Sequence, residues 1–299
     1  MTLGDGGGDD LDEYVLDDEY LAASGEELDG FVDEVEDSPS QEDQPAATGS
    51  SSVTNDAQKA KKRKQREKNK ERKAKRQKVT EFAESEQPHS IAQRAPHELA
   101  DYLSAMQAKT FNKSTALELE DTRIPDTSIS DTTSWTGPRT LDHLSDFIVK
   151  TLPNLHTRLS QKSKNSGSPT LLFITGAALR VADVTRILRD RRLRGEKGGE
   201  VAKLFARHFK LAEHCSYLKR TKVGAAVGTP GRIGKLLLET DALTISALSH
   251  IMLDISFRDA KKRNLLDIPE TRDEVFKTVL GGPQVSEAIK SGKIQVVLF

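Results

Sequence analysis

From residue 96 onward, the spacing of hydrophobic positions changes repeatedly along the chain. In 96–111 and 140–152 apolar residues recur every three or four positions, which predicts amphipathic helices. Further helices are predicted over 177–192, 201–211, 231–239 and 271–282. Continuous apolar runs, typical of buried strands, occupy 170–175, 222–228, 250–255 and 294–299. Polar or turn-rich segments at 117–135, 161–169 and 194–200 predict extended or loop structure between these elements.

The order of these elements predicts the fold class. Strands that are apolar throughout are buried on both faces, and their alternation with helices is typical of a parallel sheet covered on both sides. We therefore expect an α/β domain over 96–299. It has a mostly parallel sheet, helices on both faces and a helical extension at its N-terminal side.

The first part of the chain differs in composition from the rest. Residues 1–57 contain 18 Asp or Glu and no Lys or Arg. Such a segment has too little apolar surface to offset the entropy of ordering the chain. We therefore expect 1–58 to be a disordered acidic tail. Its few apolar residues leave two roles open, a solubilising tail or a docking segment for a basic partner.

A strongly basic block follows the acidic tail. Residues 59–78 contain 13 Lys or Arg against two Glu, and they have no apolar face to bury. We expect 59–79 to form a basic arm with one of two functions. It can bind phosphates and release counterions, or it can direct nuclear import. The residues that resemble a nuclear localisation signal are Lys61, Lys62, Arg63 and Lys64.

Composition also excludes several classes of protein. With Cys215 as the single cysteine, the chain has no internal disulfide and no cysteine-based zinc site. The histidines do not cluster with carboxylates at ligand spacing, so we expect no metal and no cofactor. The acidic N-terminus lacks the pattern of a signal peptide. The longest apolar stretch, 171–179, is too short to cross a bilayer, so no membrane association is expected.

A short turn motif is the first candidate for RNA contact. The sequence Thr-Pro-Gly-Arg at 229–232 follows the strand at 222–228 and opens the helix at 231–239. The glycine lets a backbone phosphate approach closely, and the N-terminus of the helix favours anions. The predicted contacts are Thr229, Gly231 and Arg232. A turn that merely begins a helix is the alternative.

A basic loop is the second candidate. It follows the strand that ends at Asp254 and has the sequence FRDAKKRN at 257–264. As a basic patch after that strand, this loop is a candidate to line the same face as the Thr229 turn. The predicted RNA contacts are Lys261, Lys262 and Arg263. A solvated loop is the alternative, and the aromatic residues show no interleaving with basic ones that would favour base stacking.

The spacing from the Thr229 turn to Asp254 resembles that of the first RecA-like domain of DEAD-box RNA helicases. In that family the Thr-Pro-Gly-Arg turn contacts the RNA backbone, and the later strand ends in Asp-Glu-Ala-Asp. Here Asp254 is followed by Ile255, so the glutamate that activates water is missing. No G-x-x-x-x-G-K-[ST] loop occurs in the chain. Asp254 is therefore expected to be structural rather than a magnesium ligand.

Catalysis is not expected from this resemblance. The sequence stops at Phe299, before the position where the family has a Ser-Ala-Thr motif and a second RecA-like lobe. We expect no arginine finger, no catalytic residue and no ATP hydrolysis.

A narrower family resembles most of residues 60–299. It comprises the eukaryotic subunits of the small-subunit processome, or 90S pre-ribosome, that carry a degenerate helicase-like domain. The resemblance rests on the acidic-then-basic N-terminus and on VGTPGRIGKLL and IMLDISFRDAKKRNLLDIPE. It implies a nucleolar protein that associates with pre-ribosomal or small nucleolar RNA and with processome proteins. Two alternatives remain, an ATP-dependent RNA helicase and a nuclear protein-interaction module without direct RNA contact.

Overall fold

A computed structural model of the protein describes residues 90–161, 163–207 and 209–299. The predicted acidic tail and basic arm, with the localisation residues Lys61, Lys62, Arg63 and Lys64, lie outside the described residues. Among the described residues, no helix is both long and apolar enough to cross a membrane.

The domain is built on a five-stranded sheet. All neighbouring strands are parallel, and the strand order is β2-β3-β1-β4-β5. Each strand is short and nearly every residue in it is buried, as the continuous apolar runs predict. The strands are β1 (Leu171–Ile174), β2 (Glu200–Leu204), β3 (Val223–Gly228), β4 (His250–Leu253) and β5 (Gln295–Leu298).

Helices precede and connect the strands. Before β1 lie α1 (Pro96–Thr110), α2 (Ala116–Thr122), α3 (Leu144–Thr151) and α4 (Pro153–Leu159). Between β1 and β3 lie α5 (Ala178–Leu188), α6 (Arg191–Arg194) and α7 (Leu211–Arg220). Between β3 and β5 lie α8 (Pro230–Leu238), α9 (Pro269–Glu274) and α10 (Pro283–Lys290). A π-helical turn, Val275–Val279, continues α9.

The sheet separates two hydrophobic cores. Successive residues of a strand point to opposite faces, so Leu172 and Ile174 of β1 belong to one core and Leu171 and Phe173 to the other. The first core packs against α1, α8, the π-helical turn and α10. The second packs against α3, α4, α5 and α6. The predicted fold class, α/β with a parallel sheet covered on both faces, is confirmed.

The helix predicted over 201–211 is wrong. Its first part is strand β2, which pairs in parallel with β3, and helix α7 begins only at Leu211. The sequence Val-Ala-Lys-Leu at 201–204 does not alternate clearly between apolar and polar residues, so it does not indicate a strand. The apolar residues from Leu211 onward do belong to a helix, which extended the predicted helix too far toward the N-terminus. The start of α7 is fixed by Glu213, whose carboxylate accepts a hydrogen bond from the Lys210 backbone N–H at 3.0 Å.

The extended structure predicted over 117–135 is also partly wrong, because α2 is a helix. No residue of α2 is buried, so no apolar stripe marks it. Its signal is the capping box, in which Thr115 Oγ1 accepts from the Glu118 N–H at 3.3 Å and Glu118 accepts from the Thr115 N–H at 2.7 Å. The helices α4 and α10, each beginning at a proline, were not predicted. The helix predicted over 177–192 divides into α5 and α6 at Asp190, which caps the second.

Helix α8 crosses the π-helical turn at very close range. A Cβ atom on Gly234 would lie 2.0 Å from Thr278 Oγ1 and 2.5 Å from Thr278 Cβ. We expect Gly234→Ala to lower the free energy of unfolding by about 2–3 kcal/mol, because the two elements must separate to admit the methyl group. Urea denaturation measures this loss. The control Gly176→Ala, with Leu265 Cδ1 as its nearest contact at 3.8 Å, is expected to unfold like the wild type.

Candidate nucleic-acid interface

The candidate residues lie at the carboxyl edge of the sheet. Because all five strands are parallel, they end at the same edge, where ligands of open α/β sheets bind. Thr229 follows β3, and the loop 257–263 comes shortly after β4. These strands flank β1, so their ends are about 10 Å apart. The structure therefore brings the two predicted regions to one edge.

Thr229 joins β3 to α8. Its backbone N–H donates to the Leu204 carbonyl at 3.0 Å, which ties the turn to the end of β2. Pro230 is the first residue of α8, where a missing N–H costs nothing. The half-buried Thr229 side chain makes no capping hydrogen bond to the helix. Its hydroxyl is therefore not used to begin α8.

Gly231 has a packing role that the sequence did not predict. A Cβ atom there would lie 2.3 Å from Glu274 Oε1. The Glu274 carboxylate thus lies against the first turn of α8, where the partial positive charge of the helix stabilises it. A phosphate approaching Gly231 would meet this negative charge.

Arg232 is mostly buried, with 9% of its surface exposed. Its Nη2 donates to the Phe209 carbonyl at 2.9 Å, so the side chain holds the loop between β2 and α7 against α8. Arg232 therefore shapes the edge of the sheet, whereas the sequence predicts that it faces RNA.

The basic loop 257–263 is a structured turn around Asp259. The Asp259 carboxylate accepts from the backbone N–H groups of Lys261 and Arg263, each at 2.8 Å, and pairs with the Arg263 guanidinium at 2.8 Å. Burial raises the pKa of Asp259, but these hydrogen bonds and the Arg263 charge outweigh it and hold the pKa below its ordinary value. Lys261 and Lys262 are exposed. Lys262 has φ of 60°, the left-handed region that favours glycine.

Asp254 directly follows β4 and forms a buried ion pair. Arg180 Nε lies 2.9 Å from Asp254 Oδ2, and the two side chains are 4% and 0% exposed. The carboxylate also accepts from Ser256 Oγ at 3.1 Å and from the Phe257 N–H at 3.2 Å. Arg180 stacks 5.1 Å above the Phe257 ring. Among the described residues, no three His, Cys, Asp or Glu side chains are placed to hold a metal ion.

A strand-like segment, a loop and a helix lie beside β5, in the order found in phosphate-binding loops. Ile129 pairs in parallel with Val296, and the loop leads into α3. Arg139 fills this loop from the inside: Nη1 donates to the Leu298 carbonyl at 2.9 Å and Nη2 to Thr132 Oγ1 at 2.9 Å. Burial lowers the pKa of Arg139 to about 10. The Arg139 guanidinium thus takes up the Leu298 carbonyl and the Thr132 hydroxyl at this loop through its two terminal nitrogens.

The loop after β2 contains an aromatic cluster. Phe205 packs edge-on against Phe209 at 5.3 Å, and Phe209 stacks on His214 at 5.4 Å. Burial, and then the charge of Arg232, lower the pKa of His214 to about 4, so its ring is neutral at neutral pH. An interleaving of aromatic with basic residues was not predicted from the sequence. The signal was present at 205–210, where Phe, Arg, Phe and Lys alternate closely.

Comparison with known proteins identifies relatives over most of the domain. Protein CMS1 of Chaetomium thermophilum is 40% identical over 173 residues, which cover 58% of this chain and 67% of the relative. Protein cms1 of Schizosaccharomyces pombe is 35% identical, covering 62% and 66%. Protein CMSS1 of Homo sapiens is 30% identical over 225 residues, covering 75% and 74%. The chain thus spans about two thirds to three quarters of these relatives.

Solved structures of DEAD-box proteins are similar in fold alone. Dbp5 of Saccharomyces cerevisiae, bound to RNA and ADP BeF3, has 14% identity and a TM-score of 0.36 over 67% of this chain and 45% of its own. A DEAD box protein from Methanococcus jannaschii has 18% identity and a TM-score of 0.33, covering 55% and 37%.

A protein-family model decides the membership. The model describes CMS1 as a U3-containing 90S pre-ribosomal complex subunit, and it matches residues 41–299. This match includes the whole described domain and both predicted RNA-contact regions. The protein therefore belongs to the CMS1 family of 90S pre-ribosomal complex subunits.

Proposed function

We propose that the protein is a non-catalytic component of the small-subunit processome that acts in ribosome biogenesis and pre-rRNA processing. It binds pre-ribosomal or small nucleolar RNA together with processome proteins in the nucleolus. The family description supports this assignment. The basic arm at 59–79 supports it as well, with nuclear import through Lys61, Lys62, Arg63 and Lys64 as a further prediction.

The observation that carries the non-catalytic assignment is the closed pair of Arg180 and Asp254. An ATPase uses the acid after this strand to hold magnesium, whereas here both carboxylate oxygens are engaged inside the protein. Arg139 occupies the loop beside β5 in the same way. The Arg180–Asp254 pair and the Arg139 loop therefore both favour a binding protein with a helicase-like sheet over an ATPase.

A part in RNA binding is proposed for Thr229, Gly231, Arg232, Lys261, Lys262 and Arg263, three of them by contact and three by positioning. Thr229, Lys261 and Lys262 supply the hydroxyl and the exposed charges that reach RNA phosphates. Gly231, Arg232 and Arg263 hold the two turns in shape through Glu274, Phe209 and Asp259. A lysine at φ of 60° costs about 1 kcal/mol or more relative to glycine, a cost typical of functional positions.

We expect Lys262→Gly to weaken binding of the full chain to single-stranded RNA about fivefold near 0.1 M salt, because one phosphate contact is lost. Stability should stay unchanged or rise, because glycine relieves the backbone strain. Fluorescence anisotropy and urea denaturation measure the two effects. Thr229→Val is expected to weaken binding as well. The control Lys113→Gly removes an exposed lysine from the turn after α1 and should leave RNA affinity unchanged.

Two outcomes would contradict the proposed function. RNA-stimulated ATP hydrolysis by the purified chain, lost in a variant of Asp254 that still folds, would favour a helicase. Association with pre-ribosomal particles without any RNA crosslinked to the chain in cells would favour a protein-interaction module.

A further inference from the structure

Strand β2 forms an edge of the sheet and carries a lysine in an unusual position. β2 pairs with β3 alone within the described sheet. Val201 and Phe205 pack in the second core, so the side chain of Lys203 points to the same face, toward α5. Lys203 is half-buried there. A charged side chain thus lies on an otherwise apolar strand face, close to a helix.

The charged groups at the end of α5 that act on Lys203 carry the same sign as its ammonium group. Burial lowers the pKa of Lys203, and the charges of Arg189 and then Arg186 lower it further. Arg186 lies in the last turn of α5 and Arg189 directly follows the helix, both exposed. We call Lys203, Arg186 and Arg189 the edge patch.

Of the acidic residues around the edge patch, two pair with arginines outside it and one pairs with Arg186 of the patch. Asp190 lies 3.1 Å from Arg192, and Glu200 lies 2.6 Å from Arg194. Asp183 lies 3.0 Å from Arg186, and 60% of the Arg186 side chain is exposed to solvent. No carboxylate is among the causes of the shift at Lys203. Within the described residues Arg186 is thus paired with Asp183, whereas neither Lys203 nor Arg189 forms an ion pair with a carboxylate.

Holding like charges together opposes folding, and a polyanion relieves this repulsion when it binds. Guanidinium groups also bind phosphate oxygens through two parallel hydrogen bonds, which an ammonium cannot do. Two arginines beside one lysine are thus suited to consecutive phosphates along a strand.

An aromatic side chain connects the edge patch to the carboxyl edge of the sheet. Phe205, two residues after Lys203, is only partly buried and packs edge-on against Phe209. The Phe209 carbonyl in turn accepts from Arg232, next to the Thr229 turn. Aromatic rings stack on bases irrespective of sequence, and a positively charged groove beside them follows the backbone.

We propose that the edge patch binds the phosphate backbone of single-stranded RNA while Phe205 stacks on a base. This inference rests on the proposed RNA-binding function and extends the path of the RNA from the Thr229 turn across the end of β2 to α5. The partly exposed aromatic ring favours RNA over an acidic peptide, because a peptide of Asp and Glu offers no base to stack on it.

The test measures binding of the full chain to labelled polyuridine across a range of salt concentrations. We expect Lys203→Gln combined with Arg189→Gln to weaken binding roughly 10- to 30-fold near 0.1 M salt. The slope of log affinity against log salt should fall by about 1.4, or roughly 0.7 for each lost phosphate contact. The control Lys113→Gln combined with Lys293→Gln removes the same charge, with Lys293 beside β5 at the opposite edge. It should bind like the wild type.

A second variant tests stacking separately from charge. Phe205→Leu keeps an apolar side chain against the second core, and we expect it to weaken polyuridine binding about fivefold without changing the salt slope. Ultraviolet crosslinking followed by mass spectrometry should locate crosslinked uridine in the loop 205–210. Melting temperatures provide the folding control, and Lys203→Gln should melt at or above the wild-type temperature because repulsion is removed.

The outcomes separate this inference from the proposed function. If the edge-patch variant binds like its control while Lys262→Gly loses affinity, the edge patch is not an RNA site and the proposed function stands. If the wild type binds no RNA at all, both fail. If polyglutamate displaces polyuridine at equal charge concentration and Phe205→Leu has no effect, the patch binds acidic protein segments and the RNA assignment is wrong.

Discussion

Replacing Asp254 by alanine is expected to lower the free energy of unfolding by about 3–5 kcal/mol. Arg180 is 4% exposed, and the substitution leaves its guanidinium buried without the carboxylate that lies 2.9 Å away. The backbone N–H of Phe257 loses its acceptor as well. Urea denaturation measures the loss. The matched control is Asp183→Ala, which breaks an exposed pair with Arg186 and should cost less than about 0.5 kcal/mol.

A double replacement distinguishes the net contribution of the ion pair to stability from the cost of leaving one buried charge without its partner. Arg180→Met combined with Asp254→Leu removes both charges and keeps apolar volume, so we expect it to recover most of the stability that Asp254→Ala loses. A loss below about 1 kcal/mol for Asp254→Ala would show that the pair is open to water in solution. The acid would then be available for other chemistry.

Phe147→Ala is expected to destabilise the domain by about 3–5 kcal/mol, because it opens a cavity where three groups meet. Phe147 on α3 is fully buried, and its ring centre lies 5.7 Å from that of Trp135 and 5.1 Å from that of Phe299. Arg139 lies 4.9 Å above the same ring. The ring thus supports the loop beside β5 as well as the second core.

Trp135 makes this prediction convenient to measure. It is the chain's single tryptophan, so intrinsic fluorescence during urea unfolding reports on this site directly. Phe147→Leu should cost less than Phe147→Ala, since it leaves a smaller cavity. Val149→Ala, a partly exposed position on the same helix, serves as the control and should unfold within about 1 kcal/mol of the wild type. Equal losses for Phe147→Ala and Val149→Ala would mean that the ring is not part of the core.

Four of the five strands were predictable from sequence because each contains an unbroken run of at least three apolar or glycine residues. β2 was not, because Lys203 interrupts it and its apolar residues also fit a helical spacing. The segment around Ile129 was predicted to be extended, but its pairing with β5 was not. A single bridge leaves no periodic pattern in the sequence.

The position of the candidate site was predictable, but its contacts were not. A strand followed by Thr-Pro-Gly-Arg places Thr229 at the carboxyl edge. The roles of Gly231, Arg232 and Asp254 depend on side chains and backbone groups from distant parts of the chain. Glu274 lies against Gly231, Phe209 holds Arg232, and Arg180 neutralises Asp254. Such pairings follow from tertiary packing, and local sequence carries no signal for them.

The bridge between Ile129 and Val296 has a consequence for the kinetics of folding. It joins positions far apart in the chain, and the bond from Arg139 to the Leu298 carbonyl spans a separation of 159 residues. Contacts of such long range close large loops and form slowly. During synthesis the segment 129–139 therefore cannot pack against the sheet until β5 has been made. Its amides should gain protection from hydrogen exchange together with those of β5, in the last step of folding.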